Sequence, residues 1–197
     1  LVEKDQAKEL LEIDNINKND DISSEIELLR SQLLFEMAIS KMNMNVSIFA
    51  EGKILTEEKY HQSTFVILPY TLRDSSLCDV PIEVETLDNK RVKLTYMANG
   101  KMYSKTSDVN KTIRTKHFDI AFKVENWDVL KQDDEANRLY FIFNNQKSLT
   151  SRLIANLEVN PVDVNAKTIE LRYSGNNPDM CKDIIQSVAA TFFNYDE

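Results

Sequence analysis

Glycine is scarce in this chain. Its 197 residues include three, Gly52, Gly100 and Gly175, with no two close together, where average usage of about 7% would supply roughly fourteen. A dinucleotide fingerprint or a phosphate loop needs clustered glycines so that the backbone can turn tightly and approach the phosphates, so both of those nucleotide sites are excluded. Soft ligands are equally thin: His61, His117, Cys78 and Cys181 are the whole supply, and none lies within five residues of another. Structural zinc sites use paired ligands, so no metal site is expected. A catalytic triad would have to recruit His61 or His117, and neither sits in a nucleophile motif. Each histidine reads as a surface or strand residue with a satisfied hydrogen bond. Two distant cysteines do not make a disulfide framework. Cys181 reads as a buried thiol on a helix stripe, and whether it pairs with Cys78 stays open.

Long apolar runs are also missing. Phe65 to Leu68 is four residues long, far from the ~20 needed to cross a bilayer. The chain starts at Leu1 with neither methionine nor a charged-then-apolar leader, which reads as a piece of something longer. Positive charge is in deficit as well, with 24 basic against 32 acidic side chains and a net charge of −8. A surface of that sign repels phosphate backbones, and no compensating Lys/Arg stripe is read, so nucleic acid is not expected as a partner. No cofactor is expected.

What is present is an ordinary globular composition, 42% hydrophobic and 28% charged, of a length that suits one domain or one domain with a large insertion. After an opening segment, the polar run over 14–21 reads as a loop. A helix over 24–43 follows, opened by a Ser24/Glu27 capping box. Ile22, Ile26, Leu29, Leu33 and Met37 recur along it at three and four residue steps, with Leu34 and Ala38 widening the stripe. Short β-type segments come next at 46–50 and 64–68, the second closed by Pro69, with a helical turn over 56–61 between them. From Pro81 to Phe143 strands dominate, at 82–84, 92–96, 101–103, 117–124 and 139–143, separated by loops at 88–90, 98–100 and 131–135. Strands at that spacing suggest a sandwich or barrel layer.

Helical character returns at 148–156, strands at 157–159 and 168–173, and then the clearest helix start in the chain. Asn177 is a favoured N-cap, Pro178 suits the first helical position, and Asp179 complements the dipole. The apolar face formed by Cys181, Ile184, Ile185, Val188, Phe192 and Tyr195 meets no Gly or Pro stop, so this helix is predicted over 178–195. The expected fold class is α+β: a mixed sheet that includes the 168–173 strand, covered by the 24–43 and 178–195 helices, with a β-rich insertion over 65–143 of one domain spanning 1–197.

Two stretches carry a resemblance. Asp21-Ile-Ser-Ser-Glu-Ile-Glu-Leu-Leu-Arg-Ser31, running into Met42-Asn-Met-Asn-Val46, resembles the first periplasmic helix of the chain-length determinant family, the polysaccharide co-polymerases. Ile169-Glu-Leu-Arg-Tyr-Ser-Gly-Asn-Asn-Pro178 is similar to that family's strand, proline-bearing loop and return helix. The strand-rich middle looks like the β insertion of its larger members, including those fused to bacterial tyrosine kinases. Gln186 stands where many relatives carry asparagine, and neither the membrane helices nor the proline-rich signature beside the second one is present. The resemblance implies a periplasmic region of an inner-membrane protein that assembles into a homo-oligomer. It implies a non-catalytic role in setting the length, or supporting the export, of capsule, exopolysaccharide or O-antigen chains, with a polysaccharide polymerase or export machinery as partner.

Two other classes compete. A carbohydrate-binding β-sandwich would stack sugars on exposed rings, and Trp127 is its one strong candidate, though a single tryptophan beside a strand is more often a packing residue. A glycosidase needs two carboxylates at a defined separation, and pairs such as Glu83 and Glu85 carry no meaning without it. The charged helix face formed by Glu27, Arg30, Glu36 and Lys41 is the candidate subunit interface, since mixed charges can set register between identical neighbours. An ordinary solvated face is the plainer reading of the same residues.

Overall fold

A computed structural model of the protein describes residues 22–88, 90–163 and 166–195. The segment before residue 22, including the loop read over 14–21, lies outside them. The chain divides into two compact units: one is drawn from the chain up to Met42 and from Lys147 onward, and Asn43–Gln146 is inserted between its halves. The fold is α+β, as expected. The inserted unit opens at Asn43 rather than near residue 65, because the first two strands belong with the β-rich middle.

The first unit begins with α1, helical over 22–30, then α2 (Gln32–Ser40). The single helix predicted over 24–43 is thus two. Ser31 is extended (φ −68°, ψ 137°) and caps α2, its Oγ accepting from the Leu34 amide at 3.2 Å. Ser24, expected as a cap, lies within α1. The break has a consequence for packing. An extended residue resets the helical phase, so Leu33 and Met37 point to solvent and α2 buries Leu34, Phe35, Ala38 and Ile39 instead. After the inserted unit come α4 (Gln146–Ile154), the hairpin β10 (Leu157–Asp163) and β11 (Thr168–Tyr173), and α5 (Pro178–Phe193).

The start of α5 is as predicted. Asn177 Oδ1 accepts from the Met180 amide at 3.0 Å, with Pro178 in the first turn and Asp179 beside it. Its end is not: the helix stops at Phe193, where the Asn194 backbone N–H and side-chain amide both donate to the Ala190 carbonyl. Asparagine is a stop signal that a search for Gly and Pro passes over. Met180, Ile184, Val188 and Thr191 form the buried stripe, while Tyr195 is exposed. α5 lies beside α2, with Ser187 Oγ donating to the Ala38 carbonyl at 2.8 Å and Lys41 Nζ to Thr191 Oγ1 at 3.1 Å.

The second unit is a β-sandwich. One sheet has six strands in the order β2 (Thr56–Glu58), β1 (Val46–Glu51), β9 (Arg138–Phe143), β4 (Ile82–Leu87), β5 (Arg91–Ala98), β6 (Lys101–Asp108). The other has three, β3 (Val66–Leu72), β8 (Phe118–Lys123), β7 (Lys111–Arg114). The strand pairings are antiparallel throughout, so the sheets are not mixed as expected. Short connections between sequential strands favour this arrangement, since parallel pairing needs a long crossover. The β5–β6 turn is Asn99-Gly100 with φ of 50° and 72°, the left-handed pair that a tight hairpin requires and that Asn-Gly supplies.

Alternation decides which side chains face inward. Val92, Leu94, Tyr96 and Ala98 of β5 and Leu139, Phe141 and Phe143 of β9 meet Phe118, Ile120 and Phe122 of β8 in one core. The Phe118 ring lies 5.0 Å from Tyr96 and 5.4 Å from Phe143. Two expectations change here. β3 runs through Pro69 rather than ending before it, because β3 is an edge strand whose pairing with β8 is irregular between Ile67 and Tyr70, a place where a missing amide is tolerated. The 131–135 loop is the middle of α3 (Trp127–Ala136), capped by Asn126 Oδ1. Leu130 is its one buried residue, with Trp127 half-buried at its start, too few apolar positions for a periodicity to announce it. The 56–61 helical turn is likewise replaced by β2 and a turn after it.

Candidate functional site

A groove lies where the chain passes from one sheet of the sandwich to the other. β6 ends the six-stranded sheet and β7 ends the three-stranded one, and only Val109 and Asn110 connect them. Asn110 adopts φ 58°, a left-handed conformation that asparagine accepts more readily than most residues. Its side chain grips the far end of β8, Oδ1 accepting from the Val124 amide at 2.8 Å and Nδ2 donating to the Val124 carbonyl at 3.2 Å. From this pinned corner the two edge strands lead into their own sheets. The space beside them, about 790 Å³, is lined by Arg91, by Lys105 to Asp108, and by Lys111 to Arg114.

The lining is basic. Arg91, Lys105, Lys111 and Arg114 face one carboxylate, Asp108. Lys111 Nζ donates to Asp108 at 2.6 Å, and this bond, with the Lys111 charge and then that of Arg91, holds the Asp108 carboxyl below its ordinary range. Thr106, Ser107 and Thr112 supply hydroxyls, and no aromatic side chain lines the groove. As edge strands, β6 and β7 also present backbone donors and acceptors that have no partner within their sheets.

The expectation that no basic stripe offsets the acidic chain is corrected by this face. Residues 90–123 contain nine Lys and Arg against Asp108 and Asp119, leaving fifteen basic and thirty acidic side chains in the rest of the chain. A windowed charge count finds the segment; a whole-chain sum hides it. What the sequence does not reveal is that two sheet edges bring its two ends together.

The other residues singled out in the sequence are placed as follows. Glu27 and Arg30 lie on α1, and Glu36 and Lys41 lie on and just after α2, so the break at Ser31 separates the proposed face into two pairs. Arg30 donates to the Val159 carbonyl of β10, Lys41 to Thr191, and Glu36 accepts from Gln32 at 2.9 Å. Two of the four thus tie their own unit together.

His117 is buried and hydrogen-bonded to the Tyr96 hydroxyl at 3.0 Å. His61 sits exposed in a turn at φ 58°. Trp127 packs half-buried against the sandwich core. Glu83 pairs with Arg138, which also reaches Glu51, and Glu85 pairs with Lys93 at 2.9 Å. Both β4 carboxylates are therefore held by cations. Cys78 and Cys181 are free thiols, each half-buried, and burial pushes Cys78 up.

Among the described residues, no three His, Cys, Asp or Glu gather as a metal site would need. No described helix is long and apolar enough to cross a membrane. No protein-family model and no curated protein matches the chain.

Proposed function

We propose that the chain is the periplasmic region of an inner-membrane protein of the chain-length determinant kind, regulating the length or export of a surface polysaccharide through oligomeric assembly. In this reading it is non-catalytic and acts beside a separate polymerase or exporter.

One observation carries the reading. A first helical segment and a return helix pack side by side, through Ser187 to Ala38 and Lys41 to Thr191, while a β-rich unit is inserted between them in the chain. This is the order of parts that the resemblance at 21–46 and 169–178 calls for. The Asn177-Pro178 start of α5 is the local feature on which both agree.

The test is genetic and chemical. Deleting the gene and separating the surface polysaccharide by electrophoresis is expected to show loss of the modal chain length or of export. A deletion strain whose polymer is unchanged in amount and length distribution contradicts the proposal.

A further inference from the structure

We infer that the basic groove between β6 and β7 binds an acidic saccharide chain, one that carries carboxylates among free hydroxyls. The observation stands on the groove alone, while the choice of a saccharide among polyanions rests in part on the proposed function.

Four cations and one carboxylate share the lining of one depression in a chain of net charge −8, which concentrates positive potential at that place. A concave site of one sign focuses its field and draws in ligands of the other. Shape supports an extended ligand. The depression runs over residues of two edge strands, Lys105 to Asp108 of β6 and Lys111 to Arg114 of β7, whose outer backbone groups have no partner strand, and Thr106, Ser107 and Thr112 add hydroxyls to the cationic lining. Sugars offer hydroxyls at similar intervals between their acidic groups, so each kind of wall residue has a partner.

Nucleic acid is the competing polyanion, and the lining disfavours it. Single strands are held by stacking their bases on aromatic side chains above a basic track, and the groove has the track without the rings.

Asp108 makes the inference testable in both directions. It is the groove's carboxylate and is bonded to Lys111 at 2.6 Å, so it opposes any anion that enters. Removing its charge frees Lys111 and takes away a repulsion, so Asp108→Asn is expected to tighten binding while Lys105→Glu weakens it.

The experiment is calorimetry on the 197-residue chain with oligogalacturonate as the acidic probe, neutral dextran oligomers as the uncharged control, and oligothymidylate as the nucleic acid control. Oligogalacturonate should bind, weaken as salt is raised, and outcompete both controls. Lys105→Glu should lower its affinity about tenfold, ~1.4 kcal/mol, and Asp108→Asn should raise it. Equal binding of dextran, tighter binding of oligothymidylate, no binding of oligogalacturonate, or indifference to both substitutions overturns the inference. Should Lys105→Glu fail to fold, Asp108→Asn alone decides it. None of these outcomes touches the deletion test above, which reads polymer length and needs no groove.

Discussion

The Tyr96 hydroxyl and Nδ1 of His117 lie 3.0 Å apart inside the β-sandwich, with the edge of the His117 ring against Tyr103. Both partners are buried, so neither has bulk water to turn to. Leaving a buried polar group unsatisfied costs more than the net gain of the bond itself. Tyr96→Phe is expected to destabilise the protein by about 1–3 kcal/mol in urea unfolding. A change within about 0.5 kcal/mol would show that the pair is replaceable.

The loop before α5 contains a steric constraint. A Cβ on Gly175 would stand 2.9 Å from the Cys181 Sγ, closer than two such atoms pack. The thiol can swing to another rotamer, so Gly175→Ala should cost no more than about 1 kcal/mol, and adding Cys181→Ala should recover much of it. Additive losses in the double variant would place the strain elsewhere.

Acid should weaken the sandwich in a defined window. The carboxyl of Asp119 is held below 3.8 first by its hydrogen bond to Arg73, and that of Asp74 first by its bonds to Ser76. A group whose folded pKa is depressed contributes stability above its unfolded pKa and loses it as pH falls through the folded value. The midpoint of thermal unfolding should thus be level above about pH 5 and fall below about pH 4. Asp119→Asn should make that fall shallower, and an equally steep fall would rule out the Arg73 pair as a source. Both aspartates are solvent-exposed enough that the effect is expected to be small.

The groove residues should matter little to the fold. Lys111 and Asp108 are both well exposed, and exposed ion pairs are worth about 0–1 kcal/mol. Asp108→Asn should leave urea stability unchanged within about 1 kcal/mol. A larger loss would make the basic lining a structural device, of the kind that lysines on edge strands provide against edge-to-edge association.

Local chemistry was legible in the sequence, and long-range geometry was not. Asn177-Pro178-Asp179 announced α5 because capping acts within one turn, whereas 98–100 reads only as a loop and the structure makes it a tight hairpin turn at Asn99-Gly100. Ser31 hid its break because the apolar residues continue on both sides of it, so the stripe was assigned to Leu33 and Met37. α3 hid because its packing rests on Leu130 and Trp127 alone, in a run of acids. The groove hid for a topological reason: Arg91 and Arg114 belong to different sheets, and no periodicity says that β6 and β7 are both edges at one corner. The charged face of Glu27, Arg30, Glu36 and Lys41 was visible as a pattern, but the bonds of Arg30 to β10 and Lys41 to α5 depend on partners more than a hundred residues away.

The central claim concerns assembly, and mass measured in solution tests it most directly. Membrane anchors hold neighbours at high local concentration, so contacts that are adequate there can be too weak in dilute solution. If the chain is, as proposed, the periplasmic region of a membrane-anchored protein, sedimentation should find the 197-residue chain as a monomer or weak oligomer and the anchored protein, in mild detergent, as a closed homo-oligomer. An anchored protein that sediments as a monomer under those conditions contradicts the account.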